Sequence, residues 1–62
     1  MEAKDLVVGG KYMYQEDPHE EKVQATVLAI DNEKQIVRFV DWDDFEWDER
    51  FEDIEDTVKR KL

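Results

Sequence analysis

Between Arg38 and Glu49 the chain interleaves large aromatic side chains, Phe39, Trp42, Phe45 and Trp47, with the carboxylates of Asp41, Asp43, Asp44, Glu46, Asp48 and Glu49. Ring faces attract a cation through the ring quadrupole, and carboxylates add Coulomb attraction. These residue types at this spacing therefore suit recognition of positive charge better than bond-breaking chemistry. Phe39, Trp42, Phe45 and Trp47 are candidate flat contacts, with Asp41, Asp43, Asp44 and Glu46 drawing the cation in. Tyr12 and Tyr14 stand two apart, on one face of any strand, and are weaker candidates. The plainer alternative for Trp42 and Trp47 is that they fill the core of a very small domain.

Catalysis is poorly provided for. A pair such as Asp43 and Glu46 needs a cleft that excludes water and separates their pKa values before it can act as acid and base, and a domain this small has little room for one. His19 follows Pro18 in a polar stretch, serine is absent, and Thr26 and Thr57 are the only aliphatic hydroxyls, so no nucleophile, base and orienting acid are in prospect. Metal binding fares no better. There is no cysteine, His19 stands alone, and Asp41, Asp43 and Asp44 lack the Asp-x-Asp-x-Asp-Gly spacing and closing Glu of a calcium loop. The expectation is a non-enzyme without cofactor or metal.

Sixty-two residues with 18 acids and 9 bases carry a net charge of -9, which repels nucleic-acid phosphates and attracts a basic partner. Ten of the acids lie between Asp41 and Asp56, against one base, Arg50. They read either as a solvated face or as an anionic surface. The expected partner is a basic protein or peptide, with no direct nucleic acid and no membrane. The alternative function is that of a small acidic inhibitor, or nucleic-acid mimic, that occupies the basic groove of a nucleic-acid-binding protein. No apolar run approaches the roughly 20 residues that span a bilayer, and Met1 to Asp5 lacks the pattern of a signal peptide. An intracellular, soluble protein of nucleus or cytoplasm, a monomer, is the expectation. The Met1 start and the absence of a linker suggest a complete small protein.

The elements that must position these residues follow from periodicity. Leu6-Val7-Val8 leads into a bend at Gly9-Gly10, and Lys11 to Tyr14 has strand composition. Val23 to Ile30 begins with alternation and ends apolar on both faces, as a long bent strand does. A turn at Asp31 to Lys34 returns the chain through Gln35 to Trp42 as the third strand of a hairpin. If Val37 and Phe39 face inward, Ile36, Arg38, Val40 and Trp42 face outward unless a bulge near Asp41 intervenes. After Trp42 two readings compete: a helix capped by Asp48 with the stripe Phe51, Ile54, Val58 and Leu62, or a fourth strand from Phe45 to Arg50 followed by a helix from about Glu52. The fourth strand is preferred because it covers a sheet edge that three strands leave open.

Three segments, Val8-Gly9-Gly10-Lys11, Gln24 to Asp31 and Val37-Arg38-Phe39-Val40-Asp41-Trp42, resemble the first three strands of a Tudor domain. Trp47-Asp48-Glu49 is similar to the closing strand of the related chromo barrels, and Phe51-Glu52-Asp53-Ile54 falls where such barrels have a short helical turn. The resemblance implies a single mostly β domain over 1–62: a small SH3-like (Tudor-like) barrel of four to five antiparallel strands over about 6–51, with a C-terminal helix over about 52–61. It further implies a non-catalytic module that recognises a basic protein segment, including methylated Lys or Arg held in an aromatic cage. By this resemblance Phe39 and Trp42 take the two later cage positions and Asp44 the polar anchor. Glu16 and Val23 take the two earlier ones without supplying rings, although a shift of two residues brings Tyr14 into the first. The Gly-Tyr-Gly-Asn-like turn is replaced by Asp41-Trp42-Asp43-Asp44, which makes the site more acidic.

Overall fold

A computed structural model describes residues 1–62. After a 3-10 turn at Ala3–Asp5 come β1 (Lys11–Tyr14), β2 (Val23–Asp31), β3 (Ile36–Val40), β4 (Glu46–Arg50), α1 (Phe51–Thr57) and β5 (Val58–Lys61). The strands form one antiparallel sheet in the order β4-β3-β2-β1-β5. The mostly β class and the antiparallel strands are as expected. The sheet, however, is not closed into a barrel: β4 and β5 are its two free edges.

Local chemistry explains the turns. Asp31 Oδ1 accepts hydrogen bonds from the backbone N–H groups of Glu33 and Lys34 at 3.0 and 2.9 Å, and Gln35 adopts the left-handed region at φ 57° to re-enter β3. Gly9, at φ +85°, makes the bend before β1. Gly10 is required for space, since a Cβ there would lie 2.8 Å from the Tyr12 ring. In β2, Val27 pairs with Phe39 and Ala29 with Arg38, so Leu28 is an extra residue that bends the strand.

That bend helps the sheet curl. β1 and β4 are three strand spacings apart, roughly 14 Å on a flat sheet, yet the Tyr14 and Trp47 ring centroids lie 5.0 Å apart. Inside the curl sit Leu6, Tyr12, Tyr14, Ala25, Val27, Val37, Phe39, Ile54 and Val58. Strand alternation holds on β3, where Val37 and Phe39 are fully buried and Arg38 is exposed.

The C-terminal segment departs from expectation. The helix covers Phe51–Thr57 rather than about 52–61, and Val58–Lys61 is a strand paired with β1 through Tyr12↔Lys61 and Met13↔Arg60. A helix of two turns is not stable on its own, whereas a ladder along β1 satisfies an otherwise unpaired edge. Consequently Lys59, Arg60 and Lys61 do not terminate the helix, and its last turn has no base. Leu62 is exposed rather than fourth in an apolar stripe, while Ile54 and Val58 are buried. No helix is long and apolar enough to cross a membrane.

Candidate functional site

Curling brings β4 opposite the end of β1, and an open pocket of about 430 Å³ lies between them. Three rings line it: Tyr14 from the end of β1, Phe45 from the turn before β4, and Trp47 from β4. Glu16, Glu20 and Glu21 approach from the β1–β2 loop, Val23 from the start of β2, and Asp41, Asp48 and Glu49 from the far side. The Tyr14↔Val23 pair closes the β1–β2 connection and so holds the loop acids at the rim.

The rings are packed against one another. Trp47 stacks with Phe39 at 5.6 Å and 24° and with Phe45 at 6.1 Å and 23°, while Tyr14 tilts against it at 5.0 Å and 58°. Such offset and tilted arrangements follow ring quadrupoles. Phe45 is set by the preceding turn, in which Asp41 Oδ1 accepts from the N–H groups of Asp43 and Phe45 at 2.9 and 3.0 Å and Asp44 takes φ 62°. Its ring remains 63% exposed.

Within the pocket lining the Tyr14 hydroxyl donates to Glu49 Oε1 at 2.6 Å. Burial, reinforced by the Glu49 charge, holds the phenol protonated far above its ordinary range. Burial also raises the Glu49 pKa above the usual carboxylate value; the Tyr14 hydrogen bond opposes this, and the charges of Asp53 and Glu16 add to it. The buried Trp47 Nε1–H lies near enough to the Tyr14 hydroxyl to temper its rise, but falls short of hydrogen-bond geometry and has no partner.

The charges are poorly compensated. Asp48 is paired with Arg38 at 2.8 Å, which lowers its pKa. The remaining ion pairs are Lys4–Glu2, Arg50–Glu52 and Arg50–Asp53. Glu16, Glu20, Glu21, Asp41 and Glu49 thus line the pocket with no cationic partner within 4.0 Å. No group of three or more His, Cys, Asp or Glu side chains is placed to hold a metal ion.

Of the residues singled out in the sequence, the pocket gathers Tyr14, Asp41, Phe45 and Trp47. Phe39 and Tyr12 are not contact faces: both are fully buried, with Phe39 supporting Trp47 and the Tyr12 hydroxyl accepting from Val7 N–H at 3.0 Å. Trp42 is 80% exposed and, like Asp43, Asp44 and Glu46, lies outside the pocket lining. Glu49 and the loop acids Glu16, Glu20 and Glu21 were not among the sequence candidates. The loop's charge was visible, but its meeting with β4 depends on the curl. Glu16 and Val23, at the early cage positions implied by the Tudor resemblance, do border the pocket. The fold and site define a small antiparallel β domain with an acidic, aromatic pocket. No family model, curated protein or solved structure matches the chain.

Proposed function

We propose that this protein is a non-catalytic binding module for a basic protein segment, one of whose cationic side chains enters the pocket between Tyr14, Phe45 and Trp47. The reading is Tudor-like in kind, and methylated Lys or Arg belongs to the ligand class it covers. One observation carries it: aromatic surface is combined with five carboxylates that have no cationic partner. Bringing a cation there relieves like-charge repulsion and gains ring contact together. The net charge of -9 adds long-range attraction that accelerates encounter.

The test is titration of the isotope-labelled protein with a panel of basic peptides, unmodified and methylated, followed by amide and indole NMR shifts. Shifts centred on Tyr14, Phe45 and Trp47 are expected, and Phe45→Ala is expected to weaken binding about tenfold, the order of a cation–ring contact plus lost packing. Absence of binding by every peptide would sink the proposal.

A second reading rests on the Asp41–Phe45 turn, which presents the exposed Trp42 beside the exposed Asp43 and Asp44. As a nucleic-acid mimic, the protein would insert this turn into a basic groove. Charge reversal at Asp43 and Asp44 would then release the partner, while Phe45→Ala would leave binding intact.

A further inference from the structure

The pocket has more unpaired acceptors than free ring faces. Trp47 is already packed against Phe39, Phe45 and Tyr14. The most accessible ring surface is therefore that of Phe45, 63% exposed. A quaternary ammonium needs several ring faces converging on one point and uses no acceptors, because it has no N–H to donate. The carboxylates here favour the opposite chemistry. Glu49 Oε1 takes the Tyr14 hydroxyl at 2.6 Å, and no other protein hydrogen bond or ion pair engages the Glu49 carboxylate. Glu16, Glu20 and Glu21 add further acceptors around the opening.

A planar cation with several donors matches both parts. Guanidinium carries five N–H donors in a fixed fork, pairs with carboxylates in two-pronged geometry and stacks on an aromatic ring, whereas the lysine ammonium is a compact, strongly hydrated charge. We infer that the pocket takes an unmethylated guanidinium, the side chain of one arginine in a basic peptide, with Glu49 as its carboxylate partner and Phe45 as its stacking face. This rests on the reading of the pocket as a cation site, and it names which cation. Methylation of the guanidinium removes donors that these carboxylates would accept. The peptide, rather than free arginine, is the source because Glu16, Glu20 and Glu21 add negative charge around the opening that attracts bases flanking the arginine.

Four acetylated and amidated peptides of identical flanking sequence test this, with arginine, symmetric dimethylarginine, trimethyllysine or citrulline at one central position. Free arginine amide serves as a fifth probe. Affinity is read from the Trp47 indole and neighbouring amide shifts. The arginine peptide is expected to bind about tenfold tighter than the trimethyllysine peptide and several-fold tighter than the dimethylarginine peptide, as loss of charge-assisted hydrogen bonds requires. The citrulline peptide, isosteric but neutral, is expected to bind most weakly. Glu49→Gln is expected to reduce arginine-peptide affinity about tenfold and to shrink the preference over trimethyllysine. Glu16→Gln, at an exposed position that does not endanger folding, is expected to reduce it about threefold. Glu33→Gln, on the distant β2–β3 turn, controls for net charge and is expected to change it little.

A methylated peptide binding as tightly as arginine or more so would overturn this inference while leaving the pocket a cation site. Failure of all the peptides to bind would overturn both. Free arginine amide binding as well as the peptide would overturn the assignment to a peptide-borne side chain.

Discussion

Tyr14 and Glu49, thirty-five residues apart, are joined by a 2.6 Å hydrogen bond that ties the end of β1 to β4. No ladder connects those strands, so this bond and the Tyr14–Trp47 ring contact hold the sheet's curl where the pocket opens. Tyr14→Phe keeps the ring but leaves the Glu49 carboxylate without its donor. The expected loss is about 1.5–3 kcal/mol in urea unfolding, the usual range for a hydrogen bond to a charged group. An NMR titration should show the Glu49 pKa moving further upward, because the deleted bond favours the ionised form.

Acid titration should show two opposed limbs. Glu49 has a folded-state pKa above its ordinary value, so its contribution is most favourable when protonated and is lost as pH rises through that raised pKa. Asp48, lowered by Arg38, contributes stability above its unfolded pKa that is lost as pH falls through the lowered one. Melting temperature should therefore rise on going from neutral to mildly acid pH and fall again below about pH 4, the ordinary aspartate range. Relief of general repulsion strengthens the first limb. Glu49→Gln should flatten it, whereas Arg38→Gln should flatten the second; a Glu49→Gln profile identical to that of the unmodified protein would contradict the assignment.

Phe39 on β3 and Trp42 in the turn that follows it should respond very differently to truncation. Phe39 is fully buried against Tyr14 and Trp47, and Phe39→Ala should cost about 3–5 kcal/mol, comparable to the whole stability of so small a domain. Trp42 is 80% exposed, and Trp42→Ala should alter stability by no more than about 0.5 kcal/mol. Chemical denaturation of the two variants checks both values.

Gly10 is a steric prediction. A methyl group there would sit 2.8 Å from the Tyr12 Cε2 and hydroxyl oxygen, and that ring is fully buried and holds the Val7 N–H. Gly10→Ala should therefore destabilise the fold by about 1–3 kcal/mol, as overpacking does. In a double-mutant cycle, a Tyr12→Leu background, which removes the ring, should make the Gly10→Ala substitution less costly than it is in the unmodified protein.

Much of the fold was readable in one dimension, because strand and turn signals are local. Lys11–Tyr14 begins and ends as its composition implies, and the Asp31 turn and inward-facing Val37 and Phe39 lie where side-chain chemistry and two-residue periodicity put them. The end of α1 was not readable in this way. Phe51, Ile54 and Val58 have helical spacing, but Val58 belongs to β5 because distant β1 offers it a ladder, and a short-range pattern carries no record of that competition.

The candidate site divides along the same line. Alternating rings and acids lead, from residue chemistry alone, to the proposal of a site for positive charge. They do not tell which rings remain accessible. Phe39 and Trp42 are three residues apart, yet one is sealed in the core and the other projects beyond the pocket. Tyr14, Phe45, Trp47, Glu49 and the loop acids become one site only when a bent β2 and a curled sheet bring β1 against β4. Residue type supplies rings and carboxylates locally, whereas a pocket is a relation among distant segments, set by the packing that curls the sheet.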